Sequence, residues 1–181
     1  MELKETKLTS EPKYHGLVVD VRVDTVRLPD GRESRREVVT HPGGVAILPL
    51  TAQGEVLMVR QYRYCAGQVL LEVPAGKLEP GEEPLPAAMR ELEEEVGMIA
   101  GRMEDLGYLY VSPGISTEII HLYLATDLRS GHSCLDADEF LDVECIPLAD
   151  LVEQVMAGTI TDAKTAALIL KTAQIKNKGV S

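Results

Sequence analysis

Between Glu79 and Glu95 the chain carries seven acidic residues: Glu79, Glu82, Glu83, Glu91, Glu93, Glu94 and Glu95. Only Lys77 and Arg90 are near enough in sequence to offset them. Leu85, Met89, Leu92 and Val96 recur with a helical period and read as one apolar stripe. On that helix Glu91 and Glu95 share a face and Glu94 adjoins it. Like charges at this spacing repel one another. A solvated face is one reading of such a helix. The other is a site for a hard divalent cation, which takes oxygen ligands and completes its shell with water and substrate phosphates. The preceding loop, Ala75-Gly76-Lys77-Leu78-Glu79-Pro80-Gly81-Glu82, carries small residues that let the backbone approach a ligand, with the Ala75 carbonyl available to a metal.

The elements around this stretch must position it. The helix is expected over 83–96, with Pro84 and Pro86 in or before its first turn and Gly97 as its stop. Upstream, residues 16–27 alternate, with Val19, Val21 and Val23 on one face and Asp20, Arg22 and Asp24 on the other. Pro29-Asp30-Gly31 turns the chain into a returning strand at 35–40. Residues 1–13 are polar and expected to be loosely held. Segments 45–50 and 55–63 read as a second antiparallel pair, and 69–73 as a further strand. Strands are expected near 104–111, 117–126 and 139–147, then helices at 148–157 and 162–175, the second capped by Asp162. Strands and helices mix without a regular βαβ rhythm, so the class is α+β.

Composition removes several alternatives. The chain has 181 residues and a formal net charge of −11, a length that fits one domain with a small appendage. No stretch approaches about 18 uninterrupted apolar residues, so no membrane span is expected. The first residues, Met1-Glu2-Leu3-Lys4-Glu5-Thr6-Lys7, show no apolar signal region, and three cysteines without a CxxC pair fit reduced thiols; a cytoplasmic protein is expected. An acidic chain with one Phe and no Trp lacks the charge and the stacking surface of a nucleic-acid binder. Such a chain repels anionic substrates unless bound cations invert the local field.

The run from Gly76 to Met98 resembles the Nudix box, G-x5-E-x7-R-E-U-x-E-E-x-G-U, at every fixed position: Gly76, Glu82, Arg90, Glu91, Leu92, Glu94, Glu95, Gly97 and Met98. The likeness to the wider family extends over about residues 43–175. It implies a Nudix-type α/β/α sandwich with a mixed sheet over 43–181, preceded by a small antiparallel β-hairpin at 1–42. It also implies a hydrolase of nucleoside diphosphate derivatives that uses two or three Mg²⁺ ions, with Mn²⁺ as a substitute. By the same likeness Glu91, Glu95 and the Ala75 carbonyl are metal ligands. Glu94 is a further ligand or holds a water, Glu82 gives peripheral support, Arg90 orients the glutamates, and Gly76 and Gly97 are conformational.

Segments outside the box resemble the ADP-ribose/ADP-sugar pyrophosphatase branch. Gln61-Tyr62-Arg63 and Glu72-Val73-Pro74-Ala75-Gly76 match its paired motifs, which places Arg63 on the pyrophosphate or ribose and Glu72 on substrate or a water. Ser112-Pro113-Gly114 resembles its downstream proline mark, with Ser112, Pro113 and Glu118 reaching ligand. Asp136-Ala137-Asp138-Glu139 resembles a loop that supplies the catalytic base; Glu139 matches best, with Asp138 or a box glutamate as alternatives. Arg35-Arg36 and His41-Pro42-Gly43-Gly44 resemble the part that exchanges strands between two subunits. A homodimer through the N-terminal strands is therefore implied, with Arg35 or Arg36 reaching the partner's substrate. The implied reaction converts ADP-ribose to AMP and ribose 5-phosphate. Another nucleoside diphosphate derivative, or a non-catalytic sensor, is the alternative.

Overall fold

A computed structural model of the protein describes residues 2–135 and 140–179. These fall into two compact units, the first formed by the chain as far as Gly43 with Tyr110–Ile119, the second by Gly44–Leu109 with residues from Ile120 onward.

The first unit is a three-stranded antiparallel sheet in the order β1-β2-β3, with β1 Thr6–His15, β2 Asp20–Arg27 and β3 Glu33–Thr40. The polar N-terminal segment is thus a strand rather than a loose tail. Its side chains are almost all exposed, so it carries no apolar alternation, and the ladder with β2 holds it. The buried face of β2 also differs from the expected one: Asp24 and Val26 are buried, whereas Val21 and Val23 are only half-buried. Asp24 tolerates burial because Ser10 donates to it at 2.6 Å and Arg22 at 3.2 Å. Chiefly through the Ser10 hydroxyl, its carboxyl is held below the usual carboxylate range. Val39 and Ser116 form a parallel bridge that joins residues 110–119 to β3.

The second unit holds two sheets. One has the order β10-β5-β6, with β5 Glu55–Arg63, β6 Gln68–Glu72 and β10 Leu141–Pro147, all antiparallel. The other has the order β7-β4-β9-β8, with β4 Gly44–Pro49, β7 Ala75–Lys77, β8 Met98–Tyr110 and β9 Ile119–Ser130. Here β4 runs parallel to β9 and antiparallel to β7, so the sheet is mixed. The expected pairing of β4 with β5 is corrected: they lie in different sheets and share only the isolated bridge Leu50↔Val56. Every residue of β4 is buried, as befits a strand covered on both faces.

Alternation along β4 divides the core. Ala46 and Leu48 pack with Met58, Leu122, Leu124, Leu151, Leu168 and Ile169, under helices α2 Leu148–Met156 and α3 Ala163–Lys178. Val45 and Ile47 face the other way and pack with Val59, Ala87, Ala88, Leu92 and Tyr123, under helix α1 Pro84–Val96. The result is the α/β/α sandwich.

Helix α1 starts at Pro84, where a missing N–H costs nothing, and ends on Gly97 in the left-handed conformation at φ 64°, with the Gly97 N–H donating to Glu93 O at 2.9 Å. No helix among the described residues is long and apolar enough to cross a membrane.

Candidate active site

Of the Leu/Met/Val stripe, α1 buries only Leu92 and Val96. Leu85 and Met89 are 44% and 47% exposed, while Ala87, Ala88, Glu91, Leu92, Glu95 and Val96 are buried. Two carboxylates, Glu91 at 8% exposure and Glu95 at 2%, therefore lie inside the apolar face rather than at its edge. Buried carboxylates need compensation. Glu95 Oε2 accepts from the Ala75 N–H at 3.1 Å. Arg90 Nη1 donates to Glu91 Oε1 and to Glu94 Oε2, each at 2.8 Å, and its Nε and Nη2 reach the two oxygens of Glu82 at 3.0 Å. One guanidinium thus ties three glutamates of the box. The Glu82 pairing, opposed by partial burial and helped by Glu91 and Glu94, pushes the Arg90 pKa well above its ordinary value.

Gly76 completes this wall. A Cβ at that position would come within 1.8 Å of Glu91 Oε1, so only glycine leaves the carboxylate its place beside β7. Among the described residues no three acidic, His or Cys side chains converge on one point. The donor chemistry still fits a hard divalent cation: carboxylates of Glu91, Glu94 and Glu95 and the Ala75 backbone lie on one wall, and Gly76 keeps it open.

A second cluster lies on β5, β6 and the start of α3. Glu72 stands opposite Val59, four residues back along β5 from Arg63. Arg63 reaches along the strand and pairs with it bidentately, Nε to Oε1 and Nη2 to Oε2, both at 2.8 Å. Lys164 also bonds Glu72 Oε2 and lies 3.0 Å from Asp162 Oδ2. Glu72 is 1% exposed. Burial is the largest single influence on its carboxyl and acts upward; the hydrogen bonds and charges of Arg63 and Lys164 together outweigh it and hold the group below the usual carboxylate range. The Arg63 guanidinium is raised in turn, chiefly by its bonds to Glu72, with Glu95 and Asp162 adding to the field.

The other residues singled out from sequence are placed as follows. Ser112, Pro113, Glu118, Arg35 and Arg36 belong to the first unit. There Arg36 pairs with Glu5 at 2.6 Å, Arg35 lies 4.0 Å from Glu11, and Glu118 lies 3.7 Å from His41. The Ser112 carbonyl accepts from Ile115 and Ser116 in the turn that carries Pro113. Glu139 and Asp138, the candidate bases, lie outside the described residues. Lys164 was missed by sequence reasoning. A signal for it existed: a lysine in the first turn of a helix opposes the macrodipole.

A model of the NUDIX domain matches residues 40–168 of the chain. The chain belongs to the NUDIX domain family. A second model, described as the nucleoside diphosphate sugar hydrolase N-terminal domain, matches residues 5–39. Among NUDIX relatives, the chain is 43% identical over 169 residues to an ADP-ribose pyrophosphatase of Bacillus subtilis (strain 168), covering 92% of this chain and 91% of that one. It is 41% identical over 168 residues to a methanol dehydrogenase activator of Bacillus methanolicus, with the same coverage. A crystal structure of an ADP compounds hydrolase has the same fold, with a TM-score of 0.87 over 99% of this chain and 98% of that one, at 23% identity. NUDIX hydrolases generally use divalent metal ions, in keeping with the oxygen-rich wall on α1.

Proposed function

We propose that the protein hydrolyses the pyrophosphate bond of ADP-ribose, or of a related ADP-sugar, giving AMP and, from ADP-ribose, ribose 5-phosphate. The observation that carries this reading is the pairing of an arginine fork with a wall of acidic side chains: Arg63, fixed by Glu72, in the field of Glu95, whose carboxylate accepts from the Ala75 N–H. An arginine whose Nε edge is locked presents its other edge to an anion in a defined plane. The 43% identity to an ADP-ribose pyrophosphatase supports the choice of nucleoside.

Glu91, Glu94, Glu95 and the Ala75 carbonyl would hold two or three Mg²⁺ ions, or Mn²⁺ in their place, which would supply positive charge to offset the pyrophosphate and would lower the pKa of a bound water. Arg63 binds the pyrophosphate and stabilises the negative charge that grows as one P–O bond forms and the bridging P–O bond breaks. A carboxylate, Glu139, Asp138 or Glu94, takes the proton of the attacking water. Arg90 keeps Glu91 and Glu94 in register, and Glu82 anchors Arg90. Ser112, Pro113 and Glu118 contact substrate, and Arg35 or Arg36 does so across a homodimer formed by the N-terminal strands. The match of residues 5–39 to a nucleoside diphosphate sugar hydrolase N-terminal domain supports a nucleoside diphosphate sugar as the substrate class. A cytoplasmic location fits the three free, exposed cysteines.

The test is a panel of ADP-ribose, ADP-glucose, GDP-mannose, UDP-glucose, a diadenosine polyphosphate and ATP, each with Mg²⁺, with products separated chromatographically. ADP-ribose turned over with the highest kcat/KM supports the reading. Preference for another member overturns the substrate but keeps the site. No turnover of any member, with Mg²⁺ or Mn²⁺, overturns the enzyme.

A further inference from the structure

We propose that Asp162 and Lys164, at the N-terminus of α3, are positioning residues that fix the Glu72 carboxylate and so aim Arg63 at the pyrophosphate. This rests on the pyrophosphatase reading above, and it assigns work to a helix that the Nudix box does not include.

Lys164 sits where local energetics oppose it. It is the second residue of α3, at the positive end of the helix dipole, and its side chain is only 12% exposed. Two carboxylates make the place tenable. Glu72 Oε2 takes one side of the ammonium and Asp162 Oδ2 the other. That same Asp162 oxygen caps the helix, accepting from Thr165 N at 3.0 Å and Thr165 Oγ1 at 2.6 Å. Thr165 Oγ1 in turn accepts from the Val73 N–H at 3.0 Å. Val73 follows Glu72 directly, so the cap of α3 grips the backbone beside the carboxylate whose side chain Lys164 holds.

The consequence reaches Arg63. A carboxylate with one partner can rotate and carry that partner with it. Glu72 has Arg63 on both oxygens and Lys164 on Oε2, so its plane is fixed, and the guanidinium plane with it. Two cations and two anions also leave the cluster neutral, which lets it be buried as a unit. Among the described residues Arg63 Nη1 meets no carboxylate, and the side chain is partly exposed. That edge is what the device presents.

The test is a pair of double-mutant cycles, Lys164→Met and Asp162→Asn each with and without Arg63→Ala. Asparagine keeps the cap acceptor and removes only the charge. Lys164→Met and Asp162→Asn are expected to raise KM for ADP-ribose and lower kcat, for a loss in kcat/KM of about 10- to 100-fold. Lys164→Arg should restore most of the loss. In the Arg63→Ala background the same substitutions should change kcat/KM by less than about twofold, because their target is gone. Losses that add in full overturn the proposal and make Lys164 a direct substrate contact. Unchanged KM in both single variants overturns it as well. Binding of inorganic pyrophosphate with Mg²⁺, by calorimetry over the same variants, separates the two readings. If wild type ignores ADP-ribose but binds pyrophosphate, the substrate assignment fails and the calorimetric cycle still decides the positioning role; if it binds neither, both fail.

Discussion

Gly76 and the Glu91 carboxylate compete for one space. A Cβ on residue 76 would lie 1.8 Å from Oε1, 1.9 Å from Cδ and 2.4 Å from Oε2 of Glu91. The atoms it would meet are the end of a flexible side chain, not backbone. Gly76→Ala should therefore fold, with a stability loss of no more than about 1–2 kcal/mol by thermal or urea unfolding. Glu91 must move, and turnover should fall by about 100-fold or more, with a raised Mg²⁺ requirement. Normal turnover in Gly76→Ala would show that the observed place of Glu91 is not the working one.

Arg90 balances three glutamates at once. Arg90→Gln should cost about 1.5–3 kcal/mol in urea unfolding without divalent ions, the range for lost hydrogen bonds to charged groups. Saturating Mg²⁺ should recover more stability in the variant than in wild type, since the ions then meet carboxylates that no longer have their arginine. Equal recovery in both proteins would mean that Arg90 and the ions act on separate groups.

Thr165 is wholly buried, and its hydroxyl joins the Val73 N–H to Asp162. Thr165→Val keeps the volume and orphans a buried N–H, for a cost of about 1–3 kcal/mol. Thr165→Ser, which keeps the hydroxyl, should cost clearly less in the same urea titration.

Stability should also fall in acid through Glu72. Its folded carboxyl is depressed below the ordinary value of 4.5, so its contribution is fully present above that pH. It is lost as pH drops through the lower folded value, because the folded state resists taking the proton that the unfolded chain accepts. Unfolding free energy measured downward from pH 5 should slope less steeply in Glu72→Gln than in wild type. Parallel slopes would place the acid sensitivity in other groups.

Much of this was legible in sequence, for identifiable reasons. The β5 strand, the span of α1 and the Asp162 cap follow from local signals: alternation, proline and glycine punctuation, and an N-cap side chain. The strand β1 was hidden because its side chains face water and only backbone pairing defines it. The face of α1 was only half read: Leu92 and Val96 are buried, but Glu91 and Glu95 take the places expected of Leu85 and Met89, and an apolar count treats every carboxylate as solvent-facing. Local pattern fails where function requires buried charge. The first-turn position of Lys164 was readable, but its partner was not: Glu72 is 92 residues away, and only the fold brings them together.

The most direct measurement is the product balance from ADP-ribose and Mg²⁺, for wild type and Glu95→Gln in parallel. Wild type should release AMP and ribose 5-phosphate in equal amounts. Glu95→Gln, which keeps an oxygen acceptor for the Ala75 N–H, should stay folded and lose turnover by about 100-fold or more. Undiminished AMP release by the folded variant would contradict the assignment of the α1 carboxylates to the reaction, and no AMP from wild type would contradict the reaction itself.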